Sequence, residues 1–299
     1  MIKINGEIVT VNHFPDGTQK LNFGKEVSEM MAPGTNRIFI VWKYENDAEM
    51  ATLMFVKRHI DNHAYGPINV ALCMPYVPNA RMDRVKTTKE VFTLKYFCEF
   101  INFLNFDEVW ILDPHSDVTS ALINNVLVLN PSSYIRRIFE DIELQSETPA
   151  YKGTSIVYFP DAGAMKRYKD LPCFNGRKII YGEKDRDWET GEIRGLKIYT
   201  QNGERLDDKD TKPLSGLTVL MIDDIISYGG TLAFSADKIK ELGASAIYAY
   251  ASHVEKSMHD EVKGTLIKRL ENRTIDEVFT TNSIYNLGES KYITLIDDF

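Results

Sequence analysis

Seven short apolar runs, separated by longer stretches whose apolar residues recur at helical spacing, constrain the fold of this chain more than any other feature. The runs cover 37–42, 68–74, 108–112, 155–159, 178–181, 218–222 and 246–251. Each is short and apolar enough for a strand buried on both faces. Helical spacing fills 47–61, 89–104, 164–170 and 232–242, and Gly243 stands where the last of these helices would stop. Strands alternating with helices predict βαβ units and a mostly parallel sheet, an α/β fold class. At 299 residues the chain is long for one such sheet, so two domains of about 150 residues each are expected. The polar stretch 145–149 places the boundary, giving domains 1–147 and 148–299.

One strand–turn–helix segment carries chemistry. Residues 217–231 read Leu-Thr-Val-Leu-Met-Ile-Asp-Asp-Ile-Ile-Ser-Tyr-Gly-Gly-Thr, an apolar strand, two acids, a turn and a glycine pair opening a helix. The carboxyl edge of a parallel sheet is where open α/β folds bind ligands. Gly229 and Gly230 let the backbone approach an anion. Amides from Ser227 and Tyr228 to Thr231 and the following helix start form a phosphate cradle favoured by the helix dipole. Asp223 and Asp224 are then placed to accept hydrogen bonds from vicinal sugar hydroxyls or to help hold a cation. Asp-Asp alone would be an ordinary acidic strand end, but the whole segment points to a phosphorylated ribose.

Composition narrows the partners. The net charge of −8 argues against a nucleic-acid backbone as ligand. Cys73, Cys98 and Cys173 are odd in number and widely spaced, as in a chain with reduced thiols. No charged leader precedes an apolar stretch and no 18 apolar residues run together. A soluble cytoplasmic protein with no membrane partner is expected. Between Tyr181 and Gly216 the chain turns polar and charged, which predicts a hairpin together with a mobile loop over about 182–214.

The 217–231 segment resembles the phosphoribosyl-diphosphate binding motif of the type I phosphoribosyltransferase fold, and other segments narrow the resemblance to the ribose-phosphate diphosphokinases (phosphoribosyl pyrophosphate synthetases). Residues 74–84, Met-Pro-Tyr-Val-Pro-Asn-Ala-Arg-Met-Asp-Arg, resemble that family's ATP segment. Asp113-Pro114-His115-Ser116 resembles its Asp-x-His segment, and Pro160-Asp161-Ala162-Gly163 its Pro-Asp-Ala-Gly turn. Phe14-Pro15-Asp16-Gly17 is similar to its adenine-binding region, supplied across a subunit interface, and Thr281-Asn282-Ser283-Ile284 to its late Thr-Asn turn. The matches run in order over most of the chain.

The resemblance implies two phosphoribosyltransferase-like domains, the first on the ATP side and the second on the ribose-phosphate side. It implies transfer of the β,γ-diphosphoryl group of ATP to the anomeric hydroxyl of ribose 5-phosphate, which needs positioning and charge neutralisation more than a covalent nucleophile. Lys184 and Arg186, in a Lys-x-Arg on the loop after the 178–181 strand, match the family's catalytic pair. Phe14, Asp16, Arg81, Met82, Asp83 and His115 fall to ATP. Asp161, Asp223, Asp224, Ser227, Tyr228, Gly229, Gly230 and Thr231 fall to the ribose phosphate. His115 and Asp161 are the candidates for Mg²⁺, which takes hard ligands and keeps waters and substrate phosphates in its shell. A homo-oligomer, dimer or hexamer, is implied as well.

Three positions depart from the family pattern. Ser227-Tyr228 replaces an acid and a small hydroxyl residue in the phosphate turn, Met82 stands where Gln is common, and Thr18 where the family has Glu. The exchange at 227–228 makes a bulkier 5-substituted ribose phosphate such as ADP-ribose the alternative acceptor. A catalytically silent synthetase-associated subunit would not need Lys184, Arg186, His115 and both aspartates. A base-transferring phosphoribosyltransferase would not need the segments around Arg81 and His115.

Overall fold

The computed structural model describes residues 1–23, 34, 36–64, 66–144, 155–186, 193–207, 212–284, 290–296 and 299, and the side chains of Asp185, Arg186, Ile193 and Arg194 lie outside that description. The chain divides into two compact units, Met1–Asn130 with Phe299, and Pro131–Asp298.

In the first unit the strands are β1 (Ile2–Ile4), β2 (Glu7–Ile8), β3 (Thr10–His13), β4 (Gln19–Asn22), β5 (Arg37–Trp42), β6 (Asn69–Met74), β7 (Glu108–Leu112) and β8 (Val126–Leu129). The helices are α1 (Glu49–His63), α2 (Thr93–Phe103) and α3 (Asp117–Leu122). The sheet runs β2-β1-β5-β6-β7-β8. Strands β5 to β8 are parallel, with β1 and β2 added antiparallel at one side. β6 is central and buried along nearly its whole length, which is why it reads as a continuous apolar run. β3 and β4 form a separate two-stranded ribbon.

In the second unit α4 (Ser132–Leu144) precedes β9 (Ile156–Phe159), α5 (Ala162–Tyr168), β10 (Ile179–Arg186), β11 (Ile193–Thr200) and β12 (Thr218–Ile226). Then come α6 (Gly230–Glu241), β13 (Ala246–Val254), α7 (Thr265–Glu271), β14 (Glu277–Thr280) and β15 (Ile293–Leu295). The order is β11-β10-β9-β12-β13-β14-β15, parallel throughout except β11. From β9 the chain steps to β10 on one side, and β12 to β15 build outward on the other. The strand order therefore reverses between β9 and β12, and the carboxyl edge there is the topological switch point of this sheet.

The seven predicted strands all form, but three run longer than their apolar cores. β12 continues through Asp223 and Asp224 to Ile226, and β13 through His253 to Val254. β10 continues to Arg186, so Lys184 and Arg186 stand on a strand and not on a loop. Lys184 pairs with Leu196 and Arg186 with Ile193 across an antiparallel hairpin. The hairpin expected within 182–214 forms from β10 and β11, and inter-strand pairing places the polar residues 182–186 on its first strand. The hairpin covers 182–186 and 193–200 of that stretch, and residues 187–192 and 208–211 lie outside the described residues.

The boundary also differs from the expected 147/148. Helix α4 places Ile135, Ile138, Phe139 and Ile142 on one face at i, i+3, i+4 and i+7, and these pack in the second core with Val157, Phe159, Leu220 and Tyr250. Arg177, from the same unit, lies over the Phe139 ring at 3.6 Å and pairs with Glu143. Four large apolar side chains at about 1.5–3 kcal/mol each approach the whole stability of a domain, about 5–15 kcal/mol. A fragment covering 131–298 is therefore expected to unfold cooperatively in urea, whereas one covering 148–298 loses the transition. Equal cooperativity of the two would contradict the placement of α4.

Candidate active site

In the second unit β9 and β12 end side by side at the switch point. Asp161 follows β9 and caps α5, its Oδ1 accepting from the Ala164 amide at 2.9 Å. Asp223 and Asp224 lie in the last part of the neighbouring strand β12, Asp224 two residues before its end at Ile226. Asp224 is 2% exposed, and its Oδ1 lies 2.9 Å from the Arg167 guanidinium. Asp223 keeps more solvent access and its Oδ1 accepts from the Asp224 amide at 3.0 Å. Crowding by protein, then the adjacent Asp224 carboxyl, push the Asp223 carboxyl well above its usual range.

Beyond the acids, β12 passes into α6 through Ser227, Tyr228 and Gly229. Gly229 is the N-cap at φ +79°, and an added Cβ would collide with Leu266. Only glycine fits both the left-handed backbone and the close approach of α7. The carbonyl of Tyr228 accepts the Thr265 amide at 3.0 Å, so α7 supports the turn from behind. The Ser227 hydroxyl lies 3.0 Å from that of Ser257. The Tyr228 ring is 39% exposed, with the Lys263 ammonium 5.6 Å from its centroid. Thr231, in the first turn of α6, accepts from Lys184 Nζ at 2.9 Å. The Tyr158 hydroxyl donates to Ser235 Oγ at 2.8 Å, and Ser235 donates to the Thr231 carbonyl at 2.9 Å, tying α6 to β9. A lysine, a glycine-capped helix start and two carboxylates thus converge on one sheet edge, a set that binds an anion and a diol together.

In the first unit the ATP-assigned residues fall in two places. The 75–84 segment follows β6 and His115 follows the adjacent β7, and the Leu112 amide donates to the Pro75 carbonyl at 3.1 Å. Arg81 is exposed, Met82 partly so, and Asp83 buried. The Arg84 guanidinium, 2.8 Å away, holds the Asp83 carboxyl below its usual range, with His115 adding to the effect. Asp113 adopts φ +42° ahead of Pro114, a constrained turn of the kind found at functional sites. Phe14 and Asp16 sit apart from these on the β3–β4 turn. Phe14 is 48% exposed, and Thr18 donates its amide and hydroxyl to Asp16 Oδ1 at 3.0 and 2.7 Å. Those bonds keep the Asp16 carboxyl below its usual range.

Asp161 and His115 belong to different units, and among the described residues no group of three His, Cys, Asp or Glu could hold a metal ion. One carboxylate oxygen of Asp161 is committed to the helix cap. Such donors suit an ion that keeps substrate phosphates and waters in its shell, as Mg²⁺ does. Sequence reasoning missed Arg167, the counter-ion of Asp224; six residues after Asp161 in a helical stretch, it has a spacing that places both at the ends of one short helix. It also missed Lys263 and Ser257, which follow β13 and touch the turn through space.

No protein-family model matches the chain. The ribose-phosphate pyrophosphokinase of Pyrococcus furiosus is 25% identical over 281 residues, 92% of this chain and 86% of that protein. The protein of the same name from Sulfolobus acidocaldarius is 26% identical over 294 residues, 97% of this chain and 89% of that one. The crystal structure of phosphoribosylpyrophosphate synthetase from Mycobacterium smegmatis matches with a TM-score of 0.67 at 17% identity, covering 97% of this chain and 85% of the other. That likeness shows the fold, two α/β units with mostly parallel sheets.

Two substitutions test the site's construction. Because the Asp223 carboxyl is raised, its proton is bound more tightly in the folded state. Its contribution to stability is present at low pH and is lost as pH rises from the ordinary carboxylate range through its folded pKa. Asp223→Asn is therefore expected to raise the Tm at pH 7, by about 2–4 °C per kcal/mol relieved, and the gain should vanish near pH 4; a lower Tm at pH 7 would contradict the assignment. Gly229→Ala meets a left-handed cost of about 1–2 kcal/mol and an overlap cost of about 1–3 kcal/mol. Urea unfolding should show the sum, and a loss under about 0.5 kcal/mol, the range of ordinary surface changes, would contradict the geometry.

Proposed function

We propose that this chain, a homologue of the ribose-phosphate pyrophosphokinases along nearly its whole length, is an ATP-dependent diphosphotransferase. It moves the β,γ-diphosphoryl group of ATP to the anomeric hydroxyl of ribose 5-phosphate, giving phosphoribosyl pyrophosphate and AMP. The anomeric oxygen bonds to the β-phosphorus, the bond from that phosphorus to the α,β-bridging oxygen breaks, and the hydroxyl proton is released. The observation that carries the reading is the end of β12, where the two carboxylates, the Gly229-capped helix start and the Lys184–Thr231 contact share one edge.

In this reading the 5-phosphate lies against the turn from Ser227 to Thr231, bound by amides and the start of α6. Asp223 accepts from the ribose hydroxyls. Lys184 offsets negative charge on the moving phosphates, and Arg186 is assigned beside it by its place on β10. Arg81, Met82, Asp83 and His115 bind the nucleotide phosphates, the Arg through a planar donor fork. Phe14 and Asp16 read adenine from a neighbouring copy in a homo-oligomer. Asp161 in the second unit and His115 in the first are each assigned to Mg²⁺, which would supply charge neutralisation on the triphosphate. A cytoplasmic location suits these substrates, and no helix among the described residues is long and apolar enough to cross a membrane. The exposed Tyr228 ring beside Lys263 favours a second acceptor, a 5-substituted ribose such as ADP-ribose, as the competing arm of the test.

Incubation with ATP, Mg²⁺ and either acceptor should release AMP with ribose 5-phosphate. No AMP with either sinks the reading, and AMP only with ADP-ribose moves the acceptor. Lys184→Ala is expected to cut turnover by about 10²-fold or more, the range for losing one transition-state charge contact, with an unchanged circular dichroism spectrum. Unchanged turnover would remove Lys184 from the chemistry.

A further inference from the structure

The acidic pair at the end of β12 stands in two unequal environments. An ionised carboxylate as buried as Asp224 costs several kcal/mol to desolvate unless a hydrogen-bonded partner compensates. That partner is Arg167, whose guanidinium lies 2.9 Å from Asp224 Oδ1 and whose side chain is 27% exposed. The guanidinium also lies over the Tyr168 ring, 5.2 Å from its centroid. Tyr168 itself is buried and stacks on Phe159 of β9. Arg167 is thus held by packing on one side and by the carboxylate on the other. Arg167 sits at the end of α5, and Asp161 caps the start of that helix. A helix of seven residues spans about 10 Å, so one rigid piece carries Asp161 at one end and the counter-ion of Asp224 at the other.

We propose that Arg167 is a positioning residue for the sugar-binding acids. Its guanidinium anchors Asp224 as a structural carboxylate, and Asp223 is left as the group presented to the ribose hydroxyls. This rests on the reading of the β12–α6 segment as the ribose-phosphate site. The division follows from the geometry. Two adjacent carboxylates repel, and a guanidinium on one of them offsets part of that repulsion while fixing its orientation. Asp224 then holds its neighbour through the backbone, since its amide donates to Asp223 Oδ1 at 3.0 Å. Without Arg167, Asp224 would have to turn toward water or take up a proton, and the amide that orients Asp223 would shift with it. Lysine at position 167 would keep the charge but not the planar fork. Arg167 touches no reacting atom in this scheme, so its loss should appear in binding of the sugar and not in the chemical step.

Steady-state kinetics on the full chain test this, with Arg167→Ala, Arg167→Lys, Asp224→Asn and the Arg167→Ala/Asp224→Asn double variant, each checked by circular dichroism. Arg167→Ala is expected to raise KM for ribose 5-phosphate on the order of tenfold, about 1.4 kcal/mol. KM for ATP and kcat should stay within about twofold. Arg167→Lys should recover part of the loss. The double variant should bind ribose 5-phosphate no more weakly than Asp224→Asn alone, because the guanidinium has no task once the carboxylate is neutral. A sugar KM unchanged in Arg167→Ala, equal losses for both substrates, or additive effects in the double variant would each overturn the proposal. If Arg167→Ala does not fold, Arg167→Lys decides alone. A raised sugar KM with unchanged ATP KM supports the proposal, and no change in the sugar KM overturns it. A wild-type chain that releases no AMP speaks against the diphosphotransferase reading instead, which separates the two failures.

Discussion

Two adjacent carboxylates at the end of a strand buried on both faces are the constraint around which the second unit is arranged. Carboxylates in that position are costly, and the surrounding elements answer the cost in different ways. Helix α5 supplies a guanidinium to Asp224, while Asp223 is left with a raised affinity for its proton. Helix α6 starts immediately beyond, its first amides unpaired within the helix, and Lys184 reaches across from β10 to Thr231. An edge that mixes positive dipole, lysine and carboxylate is chemically suited to a ligand with a phosphate and a diol.

The sheet's topology makes this possible. The order reverses between β9 and β12, so the chain leaves the carboxyl edge there in opposite directions, the arrangement at which open α/β sheets bind ligands. Glycine at 229 lets the turn lie against Leu266 of α7, which holds the turn in one conformation. In the first unit β6 and β7 end side by side in the same way, and Asp83 and His115 meet there through charge. In each unit the candidate residues thus stand at the ends of adjacent parallel strands.

The fold class was legible because a buried parallel strand must be apolar throughout, and all seven such runs became strands. The β12–α6 segment was legible for a related reason: acids and a glycine pair have few local explanations directly after a buried strand. What composition hid was pairing. Lys184 and Arg186 read as loop because they are charged, yet antiparallel pairing opposite Leu196 and Ile193 makes them strand. The short strands β1, β2, β14 and β15 have no apolar run of their own longer than two residues to announce them, whereas β8 is the four-residue apolar run Val126–Leu129. The polar stretch 145–149 marks a boundary in composition, but the Ile135, Ile138, Phe139 and Ile142 stripe of helix α4 ties the preceding residues to the second core. Arg167 escaped notice because an arginine in a helical stretch is ordinarily a surface residue, and its partner lies 57 positions later in the chain, at Asp224.

The central claim is that the β- and γ-phosphates leave ATP together and arrive on the sugar's anomeric oxygen. Phosphorus-31 NMR of the reaction with ATP carrying ¹⁸O in the β-phosphate non-bridging positions reads this directly. The account predicts that label and both phosphorus atoms appear in a diphosphate attached to C1 of ribose 5-phosphate, with unlabelled AMP as the other product. Formation of ADP, or of free diphosphate with no phosphorus on the anomeric carbon, would contradict it.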